Sequence, residues 1–277
     1  MSKITAAEVN ELRKKTGAGM MDCKKALVES EGDFEKAIDI LRKKGQKLAT
    51  SRAGRAATQG VVLSAVNHDK TKAFAVMLNC ETDFVAQNQE VIDFAGAILK
   101  LAVDKDCADL ATLKAMDMNG RPVEESVVDM IGKTGEKMEL SSYEVVSGTR
   151  AFAYTHPGNK IAAIAALNKD SVSDIDTIGK DVVMQIAAMS PVAINKDDVD
   201  PKIIEKEIEI GKDQARQEGK PEQLLEKIAM GKLNKFFKES TLINQDFIKD
   251  SKKTVGQMLQ EADKDLTVVD FKRVSLS

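Results

Sequence analysis

The sequence predicts an α+β protein in which helical segments and antiparallel strand pairs occupy separate stretches of the chain. Three helical patterns separated by glycines fill residues 1–54, which predicts a compact three-helix module. A strand pair followed by a helix then occurs twice within residues 60–190, which predicts two repeated subdomains of antiparallel sheet plus helix. A pair of helices bounded by proline and glycine over about residues 200–238 predicts a protruding helical hairpin.

These patterns divide the 277 residues into three predicted domains. The N-terminal module covers residues 1–54, and the first core subdomain covers residues 55–140. The second core subdomain covers residues 141–277 and includes the hairpin and a C-terminal tail. A chain of this length is large enough to form two or more domains with a sizeable core.

The composition excludes several classes of protein. Charged residues make up 31% of the chain but the net charge is only −3, which argues against binding nucleic acid or membranes through overall charge. The first eight residues lack the apolar segment of a signal peptide, and no apolar run approaches the roughly 18 residues that span a bilayer. Cys23, Cys80 and Cys107 are odd in number and widely spaced, which predicts free thiols in a reducing cytoplasm.

Helix-capping signals define the N-terminal module. Thr5 and Glu8 have the spacing of a capping box before the first helix. Asp33 is placed to cap a third helix through Lys44, with Gly45 at the position of a C-terminal glycine. The module contains 12 Lys and Arg against 8 Asp and Glu, a net charge of +4 in an acidic chain. This charge is either an ordinary solvated surface or a docking surface for an acidic partner.

The segment at the end of the module is predicted to be mobile. Residues 45–60 include three glycines and alternate small with basic side chains, a pattern typical of a linker or a loosely anchored helix. Such a linker would let the module move relative to the rest of the chain.

Each repeat contains two strands, a tight turn and a covering helix. The predicted segments are strands 60–66 and 71–79 with helix 88–103, and strands 151–155 and 161–167 with helix 174–189. A further strand, residues 143–147, is expected to join the second sheet, and residues 266–271 are expected to form a closing strand.

The segment Thr82, Asp83, Phe84 and Val85, here called the tip, falls where a buried strand ends and a helix begins. A corner of this kind is exposed and rigidly supported, which suits it to present a side chain to a partner. The alternative is that Phe84 packs into the core of its own subdomain, where large apolar side chains are usually found.

The sequence contains none of the common catalytic signatures. It has no phosphate-binding loop of the type Gly-x-x-x-x-Gly-Lys-Ser/Thr, no His-Glu-x-x-His, no Cys-x-x-Cys and no Gly-x-Ser-x-Gly. Residues 17–19, Gly-Ala-Gly, precede a helix and could bind an anion, but a turn between helices explains them better. The chain is therefore not expected to be an enzyme.

Two motifs, residues 79–86 (Asn-Cys-Glu-Thr-Asp-Phe-Val-Ala) and residues 12–27 around Gly17-Ala18-Gly19, resemble signatures of the bacterial elongation factor Ts family. The resemblance extends over essentially the whole chain. It implies an exchange factor that needs no cofactor, binds the GTPase elongation factor Tu, preferentially free of nucleotide, and promotes release of GDP. It also implies that the protein makes no direct contact with nucleic acid or membrane.

The resemblance also implies contact residues. The tip would act as a wedge beside the magnesium and phosphate site of the GTPase, and the N-terminal module, which resembles a ubiquitin-associated domain, would dock an acidic helix. Residues 154–160, Tyr-Thr-His-Pro-Gly-Asn-Lys, match a family motif whose histidine touches the GTPase, while Gly135 matches the glycine of an Ile-Gly contact pair whose isoleucine is Thr134 here. The implied partner-binding residues are Thr82, Asp83, Phe84, Val85, Gly135, His156, Arg13, Met20 and Met21.

Three functions compete at this point. An adaptor of the ubiquitin-associated type would rest on the first 45 residues alone, and the chain has Gly19-Met20-Met21 where such domains commonly carry Met-Gly-Phe. An RNA-binding protein would need a basic strip with stacking aromatics, and the chain has two Tyr and no Trp. The hairpin would serve either a homodimer or a peripheral contact with the partner. The exchange-factor interpretation accounts for the largest number of these features.

Overall fold

The computed structural model describes residues 4–276; residues 1–3 and 277, which the predicted terminal domains include, lie outside the described residues. It confirms the α+β class. The helices are α1 (Ala6–Thr16), α2 (Met20–Glu29), α3 (Phe34–Arg52), α4 (Asp83–Ala86), α5 (Gln89–Asp104), α6 (Leu110–Ala115), α7 (Val123–Thr134), α8 (Ile175–Met189), α9 (Pro201–Gln217), α10 (Leu225–Ser240) and α11 (Val255–Ala262). The strands are β1 (Gln59–Val66), β2 (Lys72–Cys80), β3 (Met138–Ser147), β4 (Arg150–Thr155), β5 (Ile161–Leu167), β6 (Asp246–Phe247), β7 (Asp250–Thr254) and β8 (Val268–Ser275).

The first three helices pack around a small apolar core. The predicted caps are present: Thr5 and Glu8 form a capping box for α1, and the Asp33 carboxylate accepts from Lys36 N at the start of α3. Leu12 and Leu27 are fully buried between the helices.

Helix α3 does not end where the sequence predicted. It continues through Gly45 to Arg52, so the expected C-terminal glycine is wrong, and of the two alternatives for residues 45–60 the first part is a helix rather than a linker. Gly45 packs against α7 instead, where a Cβ would lie 3.4 Å from Val128 O, at the limit of ordinary van der Waals contact. Gly132 of α7 faces it, and a Cβ there would lie 3.4 Å from Gly45 Cα. The two glycines let the helix backbones approach closely, which fixes α3 against the first subdomain.

The first sheet has the antiparallel order β1-β2-β3. Tyr143–Ser147 is part of β3 and pairs with β2, so the expectation that it joins the second sheet is wrong. The predicted division at residue 140 falls inside β3. The chain passes between the sheets at Gly148, where a Cβ would come within 2.9 Å of the Ala166 Cβ. Alternating side chains show that a segment is a strand but not which sheet it joins.

The second sheet has the antiparallel order β4-β5-β8, and the predicted closing strand corresponds to β8. The two sheets stack face to face, and α5 and α7 cover one outer face while α8 and α11 cover the other. The layer between the sheets consists of small and branched residues: Val62, Ala73, Ala75, Val146, Ala151, Ala162, Ile164, Ala166 and Val274.

The predicted helical hairpin consists of α9 and α10, which pack mainly on each other. Gly211 lies against Ala229, where a Cβ would approach the Ala229 Cα to 3.1 Å. At the base of the hairpin the buried amides of Gln185 and Gln245 are joined at 3.1 Å. Across residues 4–276, no helix has both the length and the apolar composition that crossing a bilayer requires.

Candidate functional site

The tip lies on an exposed corner after β2. Thr82 caps the one-turn helix α4, which directs Val85 toward the first core and leaves Asp83 exposed. Phe84 is 82% exposed, so the alternative in which it packs into its own core is wrong. A large aromatic side chain in this position leaves most of its apolar surface in water, which is unusual for a residue with no partner.

Hydrogen bonds hold the backbone of the tip in place. Thr82 N donates to Glu136 Oε2 at 3.0 Å, and the Thr82 hydroxyl donates to Glu136 Oε1 at 2.6 Å. The Cys80 thiol donates to Thr82 O at 3.1 Å. Burial raises the pKa of Cys80 to about 11, so this thiol remains protonated and serves as a donor rather than a nucleophile.

Glu81, directly before the tip, is a partly buried acceptor for three donors. Its Oε1 accepts from Lys137 N at 2.6 Å and from Arg52 Nη1 at 2.7 Å, and its Oε2 accepts from Arg55 Nη1 at 3.1 Å. The backbone hydrogen bond from Lys137, followed by the bond from Arg52, lowers the pKa of Glu81 to about 2. The Glu81 carboxylate is therefore charged at neutral pH and joins the end of α3 to the tip.

Gly135 lies close to the tip, because the next residue, Glu136, binds Thr82. It ends α7 in a left-handed conformation, with φ of 74°, and Glu136 follows it directly. A Cβ at Gly135 would meet no atom within 4 Å, so its backbone is accessible from outside. The Thr134 hydroxyl donates to Met130 O at 2.9 Å, which satisfies this polar group within α7.

His156 lies on the exposed turn between β4 and β5. Its Nδ1 is 2.8 Å from the Tyr154 hydroxyl, and the two rings meet edge to face. Asn159 adopts a left-handed conformation, with φ of 55°, and its carbonyl accepts from Val62 N at 2.8 Å. Gln59 at the start of β1 pairs with Cys80, just before the tip. Val62 is three residues further along β1, so about 10 Å of strand separates it from Gln59. The His156 turn and the tip therefore lie at the same end of the stacked sheets.

Arg13, Met20 and Met21 lie on the surface of the N-terminal module. Arg13 is exposed in the last turn of α1, and Met20 and Met21 are 51% and 63% exposed at the start of α2. Gly19, which precedes them, lines a cleft of about 760 Å³ that Gly135 lines from the opposite side. The cleft thus lies between the module and the segment around Gly135, next to the tip.

The residues that support the tip are not evident from the sequence. Glu81 stands inside the motif at residues 79–86, yet Arg52 at the end of α3 and Arg55 just beyond it are 29 and 26 residues away. Glu136 is 54 residues from Thr82. Opposite charge was the one available signal for the pairing of Glu81 with the two arginines, and charge alone does not identify a pair in a chain with 41 basic and 44 acidic residues.

Comparisons with known proteins agree with these motifs. A family model described as "Elongation factor TS" matches residues 81–277, beginning directly before the tip. The chain is 52% identical to the elongation factor Ts of Cytophaga hutchinsonii over 278 residues, covering 100% of both chains. It is 50% identical to that of Christiangramia forsetii, again over 100% of both, and 49% identical to that of Amoebophilus asiaticus over 98% of both.

Proposed function

The chain belongs to the elongation factor Ts family of translation elongation factors that act in nucleotide exchange, and on this basis we propose that it acts on elongation factor Tu. It binds that GTPase and promotes the release of GDP so that GTP can bind. It performs no covalent chemistry, contacts the partner in the cytoplasm, and needs neither a cofactor nor nucleic acid.

The exposed Phe84 is the observation that carries this proposal. Transfer of a phenylalanine side chain from water into a crevice of a partner contributes roughly 1.5–3 kcal/mol. An acceleration of about 10⁴-fold in nucleotide release requires about 5.5 kcal/mol of differential stabilisation. Phe84 is therefore a large contributor that acts together with other contacts.

Those other contacts are supplied by neighbouring residues at the same end of the molecule. Thr82, Asp83 and Val85 flank Phe84 within the tip, and Gly135 presents accessible backbone beside it. His156 approaches the same partner from the second sheet. Inserted as a wedge beside the magnesium and phosphate site of the GTPase, the tip loosens metal coordination without touching the nucleotide.

The N-terminal module provides docking affinity. Arg13 adds positive charge, and Met20 and Met21 offer exposed, flexible apolar side chains that adapt to a partner surface. An acidic helix of the GTPase with an apolar stripe complements this surface. The module holds the GTPase while the tip acts on its nucleotide site.

The proposal is tested by release of a fluorescent GDP analogue from elongation factor Tu in stopped flow. The protein at increasing concentration accelerates release in a saturable manner, and excess unlabelled GDP with magnesium dissociates the binary complex, because linkage between two ligands is reciprocal. An unchanged release rate, or a complex equally stable with and without saturating GDP, contradicts the proposal.

A further inference from the structure

Glu81 joins three segments that are far apart in the sequence: the end of α3, the residues after α7 and the tip. Each of these segments belongs to the proposed contact surface or supports it. We propose that Glu81 is a positioning residue that couples the N-terminal module to the tip, so that docking of the module places Phe84. This inference rests on the proposed exchange function. It adds a residue that touches neither the GTPase nor the nucleotide.

Helix α3 is the mechanical connection between the module and the tip. Its 19 residues span about 28 Å, from Phe34 inside the module to Arg52 beside Glu81. The close approach of Gly45 to Gly132 fixes the middle of α3 against α7. The module and the end of α3 are therefore parts of one rigid element, which fixes the position of Arg52 relative to the docked module.

Lys137 completes the junction at that end. Its ammonium group donates to Ala53 O at 3.0 Å and to Arg55 O at 3.1 Å, just past the last turn of α3. Its backbone N–H donates to Glu81, and the preceding residue, Glu136, accepts from Thr82. The end of α3, the end of α7 and the start of the tip thus meet around one carboxylate.

The burial of this carboxylate makes the junction stiff. The Glu81 side chain is 12% exposed, so water screens its attraction to Arg52 much less than it screens a surface pair. Replacement by Gln preserves the shape and one acceptor oxygen but removes the charge. The Glu81→Gln variant therefore loosens the junction without creating a cavity, because Arg52 and Arg55 lose their charged partner.

The coupling has a kinetic signature that distinguishes it from general stabilisation. With a loosened junction, the module still docks on the GTPase, so the half-saturating concentration is retained. The tip is then less often in place, so the maximal rate of GDP release falls. A variant that merely unfolds more readily loses active protein, but each molecule that remains folded releases GDP at the wild-type maximal rate.

The test measures GDP release from elongation factor Tu over a range of exchange-factor concentrations, with the full chain. For Glu81→Gln we expect the maximal rate to fall about tenfold and the half-saturating concentration to change less than about twofold. Arg52→Gln, which removes the partner on α3, reproduces this result. Glu139→Gln, an exposed carboxylate 3.9 Å from Lys137 Nζ, serves as the matched control and leaves both parameters unchanged.

A double-mutant cycle with Phe84→Ala provides the second measurement. If Glu81 acts through placement of Phe84, the combined variant releases GDP no more slowly than Phe84→Ala alone. Additive effects, or wild-type kinetics in both Glu81→Gln and Arg52→Gln, overturn the coupling while the proposed function stands. Failure of the unmodified chain to accelerate release overturns both.

Discussion

Thr82 and Glu136 are joined by two hydrogen bonds, one from the Thr82 backbone and one from its hydroxyl, although 54 residues separate them in the sequence. This contact attaches the tip to the turn that follows Gly135. Two motifs that the family resemblance treats separately are thereby parts of one rigid surface. The hydroxyl has a second use, because it also accepts from Val85 N at 3.4 Å as the cap of α4.

The Thr82 hydroxyl is expected to stabilise the tip. Replacement by Ala removes both the cap and the bond to Glu136, and we expect a loss of about 1–2 kcal/mol in the free energy of unfolding. Catalysed GDP release is expected to slow by several-fold because Phe84 is less well held. Urea denaturation and stopped-flow release measure the two effects.

Thr82→Ser is the matched control for this prediction, since it preserves the hydroxyl that bonds Glu136. Near-normal stability and exchange in the Ser variant, with losses in the Ala variant, support the assigned role. Equal losses in both would show that the methyl group, not the hydroxyl, matters.

Glu81 gives a prediction for the dependence of stability on pH. Its pKa is lowered from 4.5 to about 2 in the folded chain, so the hydrogen bond from Lys137 N and the bonds from Arg52 and Arg55 stabilise the fold above the unfolded pKa, and this contribution is lost as the pH falls from about 4.5 to about 2. Glu81→Gln is therefore less stable than wild type at pH 7. The difference shrinks progressively as the pH falls through that window. A difference in unfolding free energy that stays constant from pH 7 to pH 3 would contradict the assignment.

Met20 and Met21 are expected to affect docking but not folding. Because both side chains are exposed, the double substitution to Asp leaves the melting temperature close to that of wild type. The half-saturating concentration for exchange is expected to rise by about tenfold, since apolar contact with the partner is lost and like charge is introduced.

Val192→Asp, an exposed apolar side chain distant from the module in the sequence, is the control for that measurement. It should change neither the melting temperature nor the half-saturating concentration. Unaltered docking in the double variant would remove Met20 and Met21 from the contact surface.

The hairpin is expected to contribute little to exchange. Leu224 and Met230 are exposed on it, whereas Leu225 is buried between α9 and α10 and would report on packing instead. Substitution of Leu224 and Met230 by Asp should change the maximal rate of GDP release by less than about threefold. A tenfold fall in the maximal rate of GDP release would show that the hairpin takes part in nucleotide exchange. Sedimentation of the same variant tests for a homodimer. If the chain dimerises through the hairpin, the sedimenting mass of the variant falls below that of wild type.

Local signals predicted local structure well. The capping residues Thr5 and Asp33 act as expected, and the strands and helices of the two repeats lie close to their predicted positions, because these features depend on neighbouring residues. The partner of β3 and the role of Gly45 were mispredicted, because both depend on segments distant in the sequence.

The candidate site shows the same division. The motif identified the tip, but the exposure of Phe84 depends on which way a one-turn helix faces once the sheet is formed. The support from Glu136, Arg52 and Arg55 consists entirely of contacts between residues distant in the sequence. Such pairs become identifiable only when the fold brings their elements together.

The substitution Phe84→Ala, assayed for catalysed GDP release from elongation factor Tu, tests the central claim most directly. Ile248→Ala, another exposed apolar side chain, is the control and should be silent. We expect Phe84→Ala to slow release by at least about tenfold, with a melting temperature close to wild type because the ring makes few contacts in the free protein. A variant that folds normally and exchanges GDP at the wild-type rate would contradict the claim.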